Sequence, residues 1–193
     1  AQLAGDRHRY ESQLGWGTTL KAHWGDEVIA GFAEENAHPR FQIAVENYPL
    51  SIYAYNSLVE LVNAGVEVSE LDRGLVDYYA AEQGVTGYDV ALAAFDRYLV
   101  DGLDTDGTAR FYRALTLESL GREEEALAEY NIFIGANASN THWTEAWSRK
   151  ASIQWQVLGN YVAASQTLRD FAVVAPTDEL ADDFLMDAAR LLE

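Results

Sequence analysis

Residues 121–136 of this chain read GREEEALAEYNIFIGA, and this stretch decides the fold. Counted from Ala126, its largely apolar side chains recur at offsets 0, 1, 4, 7 and 8. These offsets lie on one face of an α-helix, which repeats about every 3.6 residues, whereas a strand repeats every second residue. The stripe consists of Ala126, Leu127, Tyr130, Phe133 and Ile134. It predicts a helix in which a small early residue allows close approach and later aromatics fill the widening gap to the neighbouring helix.

The same spacing occurs in three further places along the chain. It starts 35 residues earlier at Ala91, 38 residues later at Ala164, and once more near the front at Ala37. Gly121 and Gly159 each precede a copy by five residues, which suits the left-handed turn that ends a first helix before its partner begins. A recurring spacing of this kind indicates stacked helical hairpins.

The repeated residues resemble the tetratricopeptide repeat, a helix pair with a characteristic series of Gly, Ala, aromatic and Pro residues. The first copy is Gly121, Ala126, Tyr130 and Phe133, and the second is Gly159, Tyr161, Ala164, Phe171 and Pro176. The match departs from the family because Glu123 replaces an aromatic residue and because the first helices lack the close-packing glycine. The resemblance implies an all-α, right-handed superhelix of antiparallel helix pairs with about ten helices.

We expect a single domain over residues 1–193, with irregular N-terminal helices in 1–65 and regular hairpins in 66–193. Three helices of the first half have their own start and stop signals. Pro39 is expected to begin a short helix that reaches Tyr48, Ser51 a helix that ends near Gly65, and Ser69 a helix that reaches about Ala81. Gly87 is expected to close a further turn, in the same way as Gly121.

A second resemblance involves residues 48–79, which contain YPLS at 48–51 and RGLVDYY at 73–79. This stretch is similar to the helical-repeat region of bacterial soluble lytic murein transglycosylases. The resemblance implies a cell-envelope, extracytoplasmic setting, peptidoglycan as a partner and an enzyme domain that follows residue 193. Glu11 and Ser12 match the first two residues of the catalytic motif of that family, but its Gly-Leu-Met-Gln segment does not follow. We therefore interpret Glu11 as a solvated helix residue.

The charge balance restricts the partners. The chain has 13 Lys and Arg against 31 Asp and Glu, a formal net charge of −18 at pH 7. Nucleic-acid binding depends on Lys and Arg that neutralise phosphates, so neither nucleic acid nor an anionic lipid surface is an expected partner. No run of the sequence is apolar for long enough to predict membrane insertion. With no Cys, the chain has no disulfide framework or thiol nucleophile.

No pattern in the sequence predicts catalysis, a cofactor or a metal site. The acidic loop at residues 101–107 does not match the spacing of a calcium loop and is interpreted as a connector. His8, His23, His38 and His142 are isolated in the sequence. Trp143, Trp147 and Trp155 lie at offsets 0, 4 and 12 of one predicted helix, where stacked indoles could hold a sugar or a peptide side chain. We expect Trp147 and Trp155 to belong to the core instead, because aromatics at helical spacing usually form the seam between helices.

The sequence favours a non-catalytic scaffold that binds a protein or peptide on a concave surface. In the resembled repeat family the first helix of each hairpin lines that surface. The candidate partner-binding residues are Arg110, Arg113, Trp143, Arg149 and Gln154. The alternative is an accessory domain of a lytic transglycosylase that positions peptidoglycan.

Overall fold

The computed structural model describes residues 27–193, with side chains described from residue 37 onwards. Within this range the chain forms nine α-helices, one π-helical turn and no strand. The helices are α1 (Glu27–Asn47), α2 (Ile52–Asn63), α3 (Glu70–Glu82), α4 (Tyr88–Val100), α5 (Thr108–Ser119), α6 (Glu123–Ala136), α7 (Trp143–Ser152), α8 (Tyr161–Val174) and α9 (Ala181–Arg190), and the π turn (Ile153–Val157) follows α7. The expected all-α fold is confirmed. None of the helices in the described range is both long and apolar enough to cross a bilayer.

The described residues divide into two compact units, the first ending at Asp101 and the second spanning Gly102–Glu193. In the first unit, α1 packs on α2, α2 on α3 and α3 on α4. In the second unit, the helices from α5 to α9 pack in the same consecutive way. Short connections make such neighbours antiparallel. The division expected at residue 65 concerns the regularity of the hairpins and stays a prediction.

The repeated stripe faces inward in every copy. Its small first residue and most of its aromatic residues are almost completely buried: Ala37, Phe41, Ala91, Phe95, Ala126, Tyr130, Phe133, Ala164 and Phe171. Tyr98 is half-buried. The Phe111 ring of α5 packs against Phe133 of α6 with ring centroids 5.4 Å apart. The small first residues of the stripe and most of its aromatic residues therefore lie in the core.

The expected turn glycines are confirmed at two positions and corrected at a third. Gly121 and Gly159 adopt left-handed φ angles of 70° and 63°, which residues other than glycine rarely adopt. The prediction for Gly87 is wrong: Gly84, with φ 71°, ends α3, and Gly87 has an extended φ of −94° and begins α4. The left-handed turn that ends α3 therefore occurs at Gly84, and Gly87 is the extended residue immediately before α4.

The helix starts at Ser51 and Ser69 are confirmed, whereas the start at Pro39 is wrong. The Ser51 and Ser69 hydroxyls accept hydrogen bonds from the third backbone N–H that follows each of them, at 3.1 Å in both cases. Pro39 lies inside α1 instead of at its start. The helix continues through this residue although proline lacks one N–H donor, because burial of Phe41 and Val45 holds the following turns in place.

Gly74 lies at a close contact between α3 and α4 that the repeat pattern of the sequence does not predict. A Cβ atom placed on Gly74 of α3 would lie 2.5 Å from Cε1 of Phe95 on α4. The Phe95 ring thus lies directly over the α3 backbone, and α3 and α4 approach each other closely at this point.

Candidate functional site

A groove in the first unit brings polar and aliphatic side chains of α2, α3 and α4 together. Its volume is about 380 Å³. The lining residues are Tyr55, Leu58, Val59, Val62, Asn63, Arg73, Asp77, Thr86, Val90 and Arg97. We call it the Arg73 groove. It is a candidate binding site because ligand sites are concave and combine an apolar lining with a few polar groups.

One wall of the Arg73 groove is aliphatic. Val59 and Val62 of α2 and Val90 of α4 are 39%, 45% and 45% exposed, respectively. Ser51 caps the N-terminus of α2. Val59 and Val62 are three residues apart on this helix and therefore share one face. The exposed valines leave an apolar surface that an aliphatic ligand group can cover.

The polar wall is formed by α3 and α4. Arg73 and Asp77 are four residues apart on α3 and therefore share a face of this helix. Arg97 reaches over from α4 and donates a hydrogen bond to Oε2 of Glu70 at 2.8 Å. The Thr86 hydroxyl donates to the main-chain carbonyl of Asp77 at 3.2 Å, which ties the turn before α4 to α3.

Arg73 has an unsatisfied hydrogen-bond donor. Its Nε atom is buried and has no hydrogen-bond partner among the described residues. A buried unpaired donor costs about 1–3 kcal/mol, and such groups in folded proteins call for an explanation. A ligand carbonyl or carboxylate would satisfy this donor once the Arg73 side chain turns it towards the groove.

Asp77 is a buried acid in the same wall. Asp77 is only 6% exposed. Burial raises the pKa of Asp77 to about 6, against the opposing effect of the nearby Arg73 and Arg97 guanidiniums. At pH 7 the carboxylate is mostly ionised, so it can accept a hydrogen bond from a ligand N–H.

The raised pKa makes stability depend on pH in a definite direction. Below the ordinary aspartate pKa of 3.8 the stabilising contribution of Asp77 is fully present. It is lost as the pH rises through the folded-state pKa of about 6, because the folded chain binds a proton that the unfolded chain releases. We expect Asp77→Asn to raise the free energy of unfolding by about 1–2 kcal/mol near pH 8 and by little near pH 4. Urea unfolding of both proteins across this range measures the difference, and a gain that does not vary with pH would contradict the assignment.

The structure brings two of the sequence-predicted residues together, in the second unit. Arg110 and Arg113 of α5 both contact Glu129 of α6, with N···O distances of 2.6 and 2.8 Å. All three side chains are less than a third exposed. These two arginines therefore hold α5 against α6.

The other three predicted residues also contact the chain itself. The Trp143 indole donates to the carbonyl of Ile134 at 2.9 Å. Nη1 of Arg149 lies 3.5 Å from Oε1 of Glu118. The other carboxylate oxygen of Glu118 accepts a hydrogen bond from the hydroxyl of buried Tyr130. Gln154 accepts a hydrogen bond from the hydroxyl of Thr167 at 2.8 Å. As a partner-binding set these residues stay a prediction.

The prediction for the tryptophans is confirmed for Trp147 and wrong for Trp155. Trp147 is buried, with 7% exposure, whereas Trp155 is 37% exposed. The sequence predicts one continuous helix here, but the π turn after α7 adds a residue to one turn. This addition rotates Trp155 away from the face that carries Trp147.

The acidic connector caps a helix. The Asp104 carboxylate accepts hydrogen bonds from the backbone N–H groups of Ala109 and Arg110 at 3.0 and 3.1 Å. Carboxylates are stabilising at this position because the N-terminus of a helix is partially positive. The interpretation of residues 101–107 as a connector agrees with this geometry. In the described part of the chain, acidic and histidine side chains form no cluster that could hold a metal ion.

His142 is the only histidine with described ring contacts. Its ring stacks on Phe111 with centroids 4.3 Å apart, and its Nδ1 lies 3.3 Å from a carboxylate oxygen of Glu145. Glu11, Ser12, His8 and His23 lie outside the described residues.

Sequence reasoning missed Arg73, Asp77 and Arg97. The available signal is the charged pair Arg73 and Asp77 four residues apart within the mainly apolar stretch LDRGLVDYYA at 71–80. Long charged side chains on such a face are seldom buried without a partner or a function. Arg97 gives no comparable signal, because its place in the groove depends on how α4 packs on α3.

The fold and the groove define the chain as an all-α protein of consecutively packed helices with a polar and aliphatic cleft in its first unit. Compared with known proteins, the chain matches no family model, no curated protein and no solved structure.

Proposed function

We propose that this chain is a non-catalytic, tetratricopeptide-like repeat module that binds an extended peptide segment of another protein in the Arg73 groove. The observation that carries the proposal is the buried, unpaired Nε donor of Arg73 beside the Asp77 carboxylate and an exposed aliphatic wall. The repeated stripe and its turn glycines support the repeat class.

An extended peptide matches this arrangement of groups. Its main chain presents carbonyl acceptors and N–H donors side by side, and alternate side chains point to opposite sides. In the groove, Arg73 donates to a peptide carbonyl and Asp77 accepts from a peptide N–H. An aliphatic side chain of the peptide then covers Val59, Val62 and Val90. Stacked helices provide concave surfaces for extended segments of this kind.

The charge of the whole chain favours a particular flanking sequence. The formal net charge of −18 steers basic segments towards the protein and repels acidic ones. The charges of the Arg73 and Arg97 guanidiniums in the groove are balanced by the Asp77 carboxylate and by Glu70, which pairs with Arg97. We therefore expect an aliphatic core segment flanked by Lys or Arg.

The test is selection of short random peptides displayed on phage against the full chain, followed by affinity measurement in solution. We expect selected peptides with an aliphatic centre and basic flanks, and a loss of at least about tenfold in affinity on Arg73→Gln. Val62→Ser is expected to weaken binding separately, because it removes aliphatic contact area.

Arg169→Gln is the matched control, since Arg169 is exposed and lies on α8 of the other unit. Equal affinity of the selected peptides for the control, for Arg73→Gln and for the unmodified chain would contradict the proposal. Binding of soluble peptidoglycan fragments in place of every peptide would instead support the accessory-domain alternative.

A further inference from the structure

A second groove lies in the second unit, at the π turn that follows α7. Its volume is about 310 Å³. It is lined by Ser148, Ala151, Ser152, Trp155, Leu168, Phe184, Asp187, Arg190 and Leu191. We call it the Trp155 groove. Its residues come from α7, the π turn, α8 and α9 with the residue that follows it, so that a ring-sized ligand would contact three helices.

The π turn presents an indole to this groove. The N–H of Leu158 donates to the carbonyl of Ile153 at 3.0 Å, five residues earlier. Gln154 fixes the turn to α8 through Thr167, which is only 3% exposed. Trp155 is thereby held at 37% exposure on a lining that includes Leu168 and Phe184.

Two serine hydroxyls on the α7 wall donate no hydrogen bond to any residue that the structure describes. Ser and Thr inside helices often donate to the carbonyl four residues earlier, as Ser57 and Ser119 do here at 2.8 and 3.0 Å. The described residues provide no such bond for Ser148 or Ser152. Both hydroxyls are therefore available as donors and acceptors towards the groove.

The α9 side of the groove carries both charges. Arg190 donates to the Asp187 carboxylate at 3.0 Å, and both side chains are more than half exposed. Each retains hydrogen-bonding capacity, because a guanidinium has five donors and a carboxylate about four acceptor sites. The groove lining thus combines an indole with two hydroxyl groups and an ion pair.

We propose that the Trp155 groove binds one pyranose ring of a carbohydrate. The apolar face of the sugar lies against the Trp155 indole. Its hydroxyls bond the serines on one side and Asp187 and Arg190 on the other. A purely apolar peptide side chain fits less well, since it would displace water from the two serine hydroxyls without replacing its hydrogen bonds. The inference does not depend on peptide binding in the Arg73 groove.

The test uses the full chain labelled with fluorotryptophan, whose five tryptophans are assigned by single Trp→Phe variants. The probes are methyl glucoside, N-acetylglucosamine and the linear trisaccharide of each sugar. We expect the Trp155 resonance to shift on saturation, with the trisaccharide binding about tenfold or more tightly if the natural ligand is a polymer. Equal affinity for the monosaccharide and for its trisaccharide would indicate that the natural ligand is a free sugar.

Trp155→Ala is expected to lose binding at least about tenfold, and Ser152→Ala severalfold, with unchanged helical circular dichroism. Tyr161→Ala is the matched control, because Tyr161 is 49% exposed but does not line the groove. Failure of all four probes to shift Trp155 at about 10 mM would overturn the proposal. Binding that survives Trp155→Ala would overturn it as well.

Discussion

Phe171→Ala lowers the free energy of unfolding by about 3–5 kcal/mol, the cost of deleting a fully buried aromatic side chain. Phe171 of α8 is completely buried. Its ring centroid lies 4.8 Å from that of Phe184, 5.7 Å from that of Trp143 and 6.0 Å from that of Trp147. Removal of the ring leaves a cavity that three helices would have to fill.

Urea unfolding followed by far-ultraviolet circular dichroism measures this loss. Val173→Ala is the control on the same helix, because Val173 is 79% exposed and its change is expected to stay within about 0.5 kcal/mol. A similar loss in both variants would mean that Phe171 does not occupy the interior of the α7, α8 and α9 cluster.

Gly74→Ala lowers the free energy of unfolding by about 2–3 kcal/mol, because the added methyl group overlaps the Phe95 ring. The new Cβ would lie 2.5 Å from Cε1 and 2.7 Å from Cδ1 of this ring. Phe95 is completely buried and cannot swing into solvent. The change therefore separates α3 from α4.

Gly135→Ala is the matched control and is expected to have the opposite sign. Gly135 lies in α6, is exposed, and has no atom within 4 Å of an added Cβ. Replacement of glycine by alanine within a helix stabilises it by up to about 1 kcal/mol. Thermal unfolding of both variants checks the pair, and a stabilising Gly74→Ala would contradict the close approach of α3 and α4. Phe95→Leu is expected to relieve part of the Gly74→Ala cost in a double-mutant cycle.

The sequence predicted those features that depend on local periodicity and on single capping residues. The Ala126 stripe and the caps at Ser51 and Ser69 follow from side-chain spacing and hydrogen bonding within a few residues. Pro39 shows the limit of such reasoning. The helix α1 continues through it because packing of Phe41 outweighs one missing hydrogen bond, and packing is not visible in a local pattern.

The two grooves depend on contacts between segments that are distant in the sequence. Arg73 becomes notable only when α4 and α2 enclose it and leave its Nε unpaired. The exposure of Trp155 depends on the π turn, which a hydrogen bond between Gln154 and Thr167 ties to α8. The spacing of one continuous helix therefore predicts, incorrectly, that Trp155 belongs to the core.

Thiol labelling tests the inward-facing stripe most directly, since the natural chain has no cysteine. Single cysteines at Ala91 and Ala126, which are completely buried, are compared with cysteines at exposed Ala93 and Ala128 on the same helices. We predict that the buried positions react at least about a hundredfold more slowly in the folded chain, as expected when access requires local opening, and that all four react alike in denaturant. Equal rates at the paired positions in the folded chain would contradict the burial of the stripe between packed helices.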